Sequence, residues 1–336
     1  MHEIAPYARQ AFAHGWAASG GPMTDRVKLA CRVAVGMACE HSDDADVFEA
    51  TLKLGSLEGT WAKVYDRREA LYREHTANVI AAWGPVVAGL PVSLAVTRFR
   101  RSAGIEETVD RNRASISAKA LAVAKWLVHQ VFNDPTSPKF LTLVWKLADA
   151  IKTGIAEGEA GAIALAAQQV SIVGIDFDIA FRDAWKQLEK LGEYYADARG
   201  WLGRILNGAA TDVGRLLARL AERNATHEDM VTEVTDLLGS NEIRSVSALV
   251  DMAMGQSFSR GALALYAREG IREVDFFTAG DSRVCPICDT DEKGSPYALI
   301  EAPQPPRHSF CRCVIVATQP LQALDFTPYL TIGDMP

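Results

Sequence analysis

Apolar residues recur three and four positions apart along nearly the whole chain up to about residue 270, the spacing of one face of an α-helix. Trp201, Leu202, Ile205, Leu206, Ala209, Val213, Leu216, Leu217 and Leu220 form one continuous stripe, and Phe177, Phe181, Trp185, Leu188, Leu191 and Tyr195 form another. Thr226 and Asp229 have the spacing of a capping box opening a helix over Met230, Val234, Leu237 and Leu238, and Gly239 is placed to end it. The next helix carries Ile243, Val246, Leu249, Val250, Ala253, Met254, Phe258 and Leu265 and stops at Gly270. The first 180 residues follow the same period, with breaks predicted at Gly20–Pro22, Gly84–Pro91 and Asn133–Pro138. After Gly270 the texture changes. Ile271–Ala279 and Val314–Thr318 are rich in β-forming residues, with Gly, Pro, Asp and cysteines between them. The expected fold is mainly α, a helical body with a small C-terminal α+β lobe containing a Cys/His knuckle.

Composition adds little but excludes some classes. Of 336 residues, 49% are hydrophobic and 23% charged, so a sizeable core is expected and disorder is not. A net charge of −7 argues against a chain that grips nucleic acid over its whole surface. The basic stretch Arg98–Lys125 (Arg98, Arg100, Arg101, Arg111, Arg113, Lys119, Lys125, against Glu106, Glu107 and Asp110) reads as a solvated helix face, with a phosphate-contacting patch as the alternative. Gly84–Val96 is too short to span a membrane, and Ala160–Ile175 is broken by Gln168, Gln169 and Gly174. Both fall below the ~20 apolar residues a span requires and are expected to be buried.

The six cysteines form two groups. Cys31 and Cys39 sit in an Ala/Val/Met-rich helical stretch and read as packed thiols. The other four stand close together, as Cys285-Pro-Ile-Cys288 and His308-Ser-Phe-Cys311-Arg-Cys313. A C-x-x-C turn and an H-x-x-C turn each bring two donors to one point, as tetrahedral Zn²⁺ requires. If Cys311 opens a strand, Cys311 and Cys313 face the same way. Cys285, Cys288, His308, Cys311 and Cys313 are five candidates for four positions. A structural zinc, disulfides between the two pairs, and thiols that merely pack are all compatible with the spacing. A deaminase-type catalytic zinc fits poorly, because Pro286 lies inside the C-x-x-C and no H-x-E stands upstream. His227-Glu228 lacks the second histidine of a zincin.

Ser247–Cys313 carries, in order, Ala267-Arg-Glu-Gly270 at a helix end, Val274-Asp-Phe-Phe277, the C-x-x-C after Gly280–Val284, and Pro305-Pro-Arg-His-Ser-Phe-Cys-Arg-Cys313. Taken together, these features resemble the C-terminal domain of phage Mu F-like head-morphogenesis proteins. The helices from Ala196 to Gly239 are similar to the helical lead-in of that family. The resemblance divides the chain into a helical region of unassigned type (1–195), a head-morphogenesis domain (196–318) and a C-terminal tail (319–336). It implies a phage minor head protein, assembled in the host cytoplasm and located in the virion at the capsid interior or portal vertex. Portal protein or major capsid protein would be its partner, with packaged DNA nearby. A reducing cytosol then favours zinc over disulfides.

No enzyme is expected. Glu157-Gly-Glu159 is an E-x-E of the kind found in ADP-ribosyltransferases, but it reads better as a solvated loop. His14, His41, His75 and His129 are bases without a nucleophile motif. The alternative is an N-terminal enzymatic module, a capsid-maturation protease or an ADP-ribosyltransferase-like domain, fused to the Mu F-like domain. Specific nucleic-acid binding is not expected, since 241–318 has no surplus of Lys and Arg over Asp and Glu.

Overall fold

The computed structural model describes residues 45–104, 113–169, 172, 175–188, 191–239, 244–278, 284–309, 311–319, 321 and 324–330. Cys31, Cys39, His14, His41, the break at Gly20–Pro22, the acidic part of the basic stretch with Arg111, Ile243 and Phe310 lie outside them. Among the described residues there are nine helices: α1 (Ala45–Val87), α2 (Val92–Ala103), α3 (Arg113–His129), α4 (Pro138–Gln169), α5 (Phe177–Gln187), α6 (Tyr195–Glu222), α7 (His227–Gly239), α8 (Arg244–Arg268) and α9 (Pro286–Lys293). Three short strands, β1 (Glu273–Phe277), β2 (Tyr297–Ala298) and β3 (Val314–Ala317), form an antiparallel sheet in the order β2-β1-β3. The mainly α fold with a small C-terminal α+β lobe is therefore observed.

The chain groups into two compact units, each built from separated stretches. One comprises the described parts of Met1–Leu71, Lys152–Glu189 and Met254–Pro336, and the other comprises Tyr72–Ile151 and Lys190–Ala253.

In the second unit the stripe of α6 is buried throughout, from Trp201 to Leu220. Helix α6 lies against α3 so closely that a Cβ on Gly214 would stand 3.0 Å from Leu121 Cα. The capping box forms in both directions: the Asp229 amide donates to Thr226 Oγ1 at 3.1 Å, and the Thr226 amide to Asp229 Oδ2 at 3.3 Å. The Trp83 indole donates to the Leu238 carbonyl at 3.0 Å, tying α1 to α7. Arg98, Arg101, Lys119 and Lys125 are exposed, as a solvated face requires. Arg98 also covers the Trp126 ring at 4.0 Å, and Arg100 donates to the Ala225 carbonyl at 3.0 Å. The Phe177–Tyr195 stripe differs from expectation. Helix α5 stops at Gln187, Leu188 is extended (ψ 143°), a 3-10 turn covers Leu191–Tyr194, and Tyr195 opens α6. Apolar spacing can persist across a change of backbone path, and the side-chain pattern cannot register that change.

The part of α4 in the first unit is buried on all sides from Lys152 to Ala167. Ala160–Ala167 are all buried, so this part of the Ala160–Ile175 run is core as expected, while its described remainder (Gln168, Gln169, Ile172 and Ile175) is half-buried; of Gly84–Val96, also expected to be buried, Pro85, Ala88, Gly89, Ser93 and Leu94 are exposed. No single helix among the described residues is long and apolar enough to cross a membrane. Helices α4 and α8 approach to backbone contact at two glycines. A Cβ on Gly158 would fall 1.9 Å from the Phe258 carbonyl oxygen, and one on Gly261 would fall 2.0 Å from that of Ile155. Only glycine permits that approach. The E-x-E is not a loop. Glu157 and Glu159 lie within α4, 2% and 5% exposed. Arg67 Nε binds both oxygens of Glu157 at 3.0 and 3.2 Å, and Arg268 binds Glu159 at 2.7 Å. Buried carboxylates require such partners, and the arginines come from distant parts of the chain.

The sheet packs on α4 and α8. Strand β1 pairs with both neighbours, with Val274 opposite Tyr297 on one side and Ala317 on the other, and Phe276 opposite Ile315. Every residue of β3 is buried, which matches its unbroken apolar run. The described part of the expected tail joins this core. Leu321, Phe326 and Tyr329 pack with Tyr266, Val274 and Ile315, and the Tyr329 carbonyl accepts from the Asp176 amide at 2.6 Å.

Candidate metal centre

The C-x-x-C motif is shaped by the start of α9. Cys285 is the N-cap residue, extended at φ −80° and ψ 157°, and Pro286 occupies the first turn, where its missing N–H costs nothing. The Cys288 amide donates to Cys285 Sγ at 3.4 Å, and the Asp289 amide to the Cys285 carbonyl at 3.0 Å. One tight turn thus presents two sulfurs at a helix N-terminus. The other end of α9 is fastened to the residue that follows β1: Glu292 accepts from the Thr278 amide at 3.1 Å and from its hydroxyl at 2.8 Å. The Tyr297 hydroxyl donates to the Asp291 carbonyl at 2.8 Å, and Arg307 pairs with Asp291 at 2.7 Å.

A second turn supplies the remaining donors. The Cys311 amide donates to the His308 carbonyl at 3.2 Å, closing H-x-x-C. His308 Nδ1 lies 2.8 Å from the Ser309 carbonyl oxygen, which can only accept, so Nδ1 carries the proton. The lone pair is then on Nε2, which faces Cys288 Sγ at 3.5 Å. This backbone-fixed tautomer is the usual arrangement of a histidine that binds metal.

All five predicted residues meet. Cys285, Cys288 and His308 place their donor atoms within 4.8 Å of one another, and so do Cys288, Cys311 and Cys313. The two groups share Cys288, whose sulfur is 3.7 Å from that of Cys311. A tetrahedral ion with bonds of about 2.3 Å to sulfur and about 2.0–2.1 Å to nitrogen sets S···S edges of about 3.8 Å and S···N edges of about 3.5 Å. The Cys288–Cys311 and Cys288–His308 separations match those edges. The four thiols are free, with no disulfide among them. Charge is unevenly held in the cluster. Backbone amides at the start of α9, chiefly that of Cys288, lower the Cys285 pKa. Burial, reinforced by the negative charge of Cys311, pushes Cys288 up to about 12. The hydrogen bond from Cys313 holds Cys311 down to about 5. Burial opposes a charge on His308, but the Ser309 carbonyl and the sulfurs of Cys311 and Cys285 outweigh it and raise its pKa. Crowded sulfurs beside an imidazole lone pair are a donor set that a cation would stabilise, and these Cys/His groups could hold a metal ion.

Only some of the nearby apolar side chains pack on the cluster. Phe276 packs on Cys288, Cys311 and Cys313, joined by Val284 and Tyr297. Ile287 is instead 55% exposed, and Phe277 and Ile315 belong to neighbouring apolar clusters. Cys311 does not open a strand, because β3 begins at Val314. One residue had no signal in the sequence. Arg68 of α1 is buried, and its guanidinium donates to the Cys311 carbonyl at 3.1 Å and to the Cys313 carbonyl at 3.3 Å. It lies over the rings of Tyr65 and Phe258 at 5.0 and 5.4 Å. A residue 243 positions away in sequence therefore sets the backbone that carries two of the sulfurs.

The two described histidines considered as bases are placed elsewhere. His75 is buried, with Nδ1 3.7 Å from Asp149, and burial lowers its pKa. His129 Nε2 lies 3.4 Å from the Asn207 amide oxygen.

Comparison of the chain with protein-family models, with curated proteins and with solved structures finds no match.

Proposed function

We propose that this protein is a phage minor head protein whose C-terminal lobe is held together by a structural zinc ion. The observation that carries the reading is the convergence of Cys285, Cys288, His308, Cys311 and Cys313 beside a three-stranded sheet. That arrangement accompanies the ordered motifs by which Ser247–Cys313 resembles Mu F-like head-morphogenesis proteins. Zinc is the favoured ion because three or more thiolates with one imidazole suit it, and four protein donors leave no open position for substrate. The role is therefore structural. In this reading the helical body seats against portal or major capsid protein at the capsid interior, with packaged DNA nearby but not specifically bound.

Two measurements test it. Elemental analysis of the purified full chain is expected to find one zinc per molecule. A reconstruction of the portal vertex of virions carrying the protein is expected to show it there in few copies. Virions lacking the protein altogether would overturn the head-protein reading, and a metal-free, fully folded chain would overturn the zinc reading.

A further inference from the structure

The basic stretch Arg98–Lys125 is sorted by the structure into two groups. Arg100 turns toward the start of α7, where its guanidinium donates to the Ala225 carbonyl at 3.0 Å. Arg98, Arg101, Lys119 and Lys125 stay on the exposed surface of the α2–α3 pair. Trp126 links their positions. The Arg98 guanidinium lies over its ring at 4.0 Å, which sets α2 against α3 at that point. Arg101 follows Arg98 by about one helical turn on the same side of α2. Lys119 precedes Trp126 by about two turns on the same side of α3, and Lys125 is the neighbour of Trp126 in the chain.

The charge of this face is of one sign. Helices α2 and α3 together hold six Lys and Arg and no Asp or Glu. Glu106, Glu107 and Asp110 stand in the segment between the two helices, outside the described residues. Among the described residues no carboxylate pairs with any of the four exposed cations. Lys186, Arg215 and Lys293, by contrast, are paired with Asp183, Asp212 and Asp289. In a chain of net charge −7 this concentration of cations is local. Like charges held side by side repel one another. A polyanion laid across them removes that repulsion and releases its own condensed counter-ions.

We propose that the α2–α3 face is a sequence-independent surface for the phosphates of double-stranded DNA, with Arg101, Lys119 and Lys125 as phosphate contacts and Arg98 seated on Trp126. Such contacts fix a protein on the duplex without reading its bases. The two helices carry no Asn or Gln for base edges either. The choice of DNA among polyanions rests on the head-protein reading, and the surface goes beyond it by giving the packaged DNA a place on this chain.

The test titrates the full chain against two fluorescent duplexes of unrelated sequence over a series of salt concentrations. Wild type is expected to bind both alike at low salt, with affinity falling steeply as salt rises. The triple variant Arg101→Gln, Lys119→Gln, Lys125→Gln is expected to bind about tenfold more weakly or worse at low salt. Its slope of log affinity against log salt should be shallower by about 2–3, as three lost phosphate contacts require. The triple variant Lys186→Gln, Arg215→Gln, Lys293→Gln removes as much charge elsewhere and is expected to stay near wild type. Equal losses in the two variants would overturn the proposal, as would no binding at low salt or a strong preference for one duplex. Patch-dependent binding to phosphatidylserine vesicles with none to DNA would overturn it in favour of a membrane surface. A patch-dependent DNA shift from a protein absent from virions would support the surface and bring down the head-protein reading alone.

Discussion

Single residues in the first unit carry more than their neighbours in sequence suggest. Arg68 meets two carbonyls of the cysteine turn and two aromatic rings while almost wholly buried. Replacing it with Met keeps much of the volume but leaves those buried acceptors without the arginine, at a cost of about 1–3 kcal/mol each. Arg68→Met is therefore expected to lower the denaturation midpoint and to weaken metal binding about tenfold, with the ligand set unchanged in a cobalt spectrum. Glu157 gives a pH dependence of definite sign. Burial outweighs Arg67 and lifts its pKa from 4.5 to about 7. The folded state thus binds the proton more tightly than the unfolded state. Its contribution to stability is fully present below about pH 4.5 and is lost as pH rises through about 7. Denaturant titrations across this range should show that decline in wild type and a flatter curve in Glu157→Gln. Equal slopes would refute the assignment.

Among elements, the α4–α8 pair sets the geometry on which the sheet rests. Its closeness depends on side chains that are missing. Gly158→Ala would drive a methyl into the Phe258 carbonyl, so the helices must separate, at a cost of about 1–3 kcal/mol or more. Gly203 of α6 has open space around its Cβ position, and Gly203→Ala is expected to stabilise by about 0.5–1 kcal/mol through helix propensity alone. Urea unfolding of the two variants should therefore shift in opposite directions. The capping box of α7 and the αL glycine ending α8 (Gly270, φ 73°) act within one turn, and both were legible from a few adjacent residues. Helix α9 and strand β2 were not. A segment of eight residues full of Asp, Thr and Lys has no apolar stripe, and it becomes a helix because Cys285 caps it and Glu292 is fastened to Thr278.

For the whole molecule, the cysteine centre brings the turn opening α9 and the His308–Cys311 turn together beside the sheet. On the structural-zinc proposal, treating the full chain with a chelator is expected to lower the melting temperature by about 5 °C or more. Far-UV helical signal at low temperature should be retained, because α4, α6 and α8 bury their stripes without the ion. Loss of all helical signal on chelation would contradict that division of labour. The periods and punctuation of the helices, the β-character after Gly270 and the identity of the five donors were determined by the sequence alone, because each depends on spacings of two to four residues. Tertiary structure alone decided that the E-x-E is buried against Arg67 and Arg268, that Arg68 holds the cysteine turn, that the last residues complete a core, and that separated stretches form one compact unit. These features depend on partners far off in the chain, 90 positions for Arg67 with Glu157 and 243 for Arg68 with Cys311, and a charged side chain shows no local sign of whether water or an opposite charge will meet it.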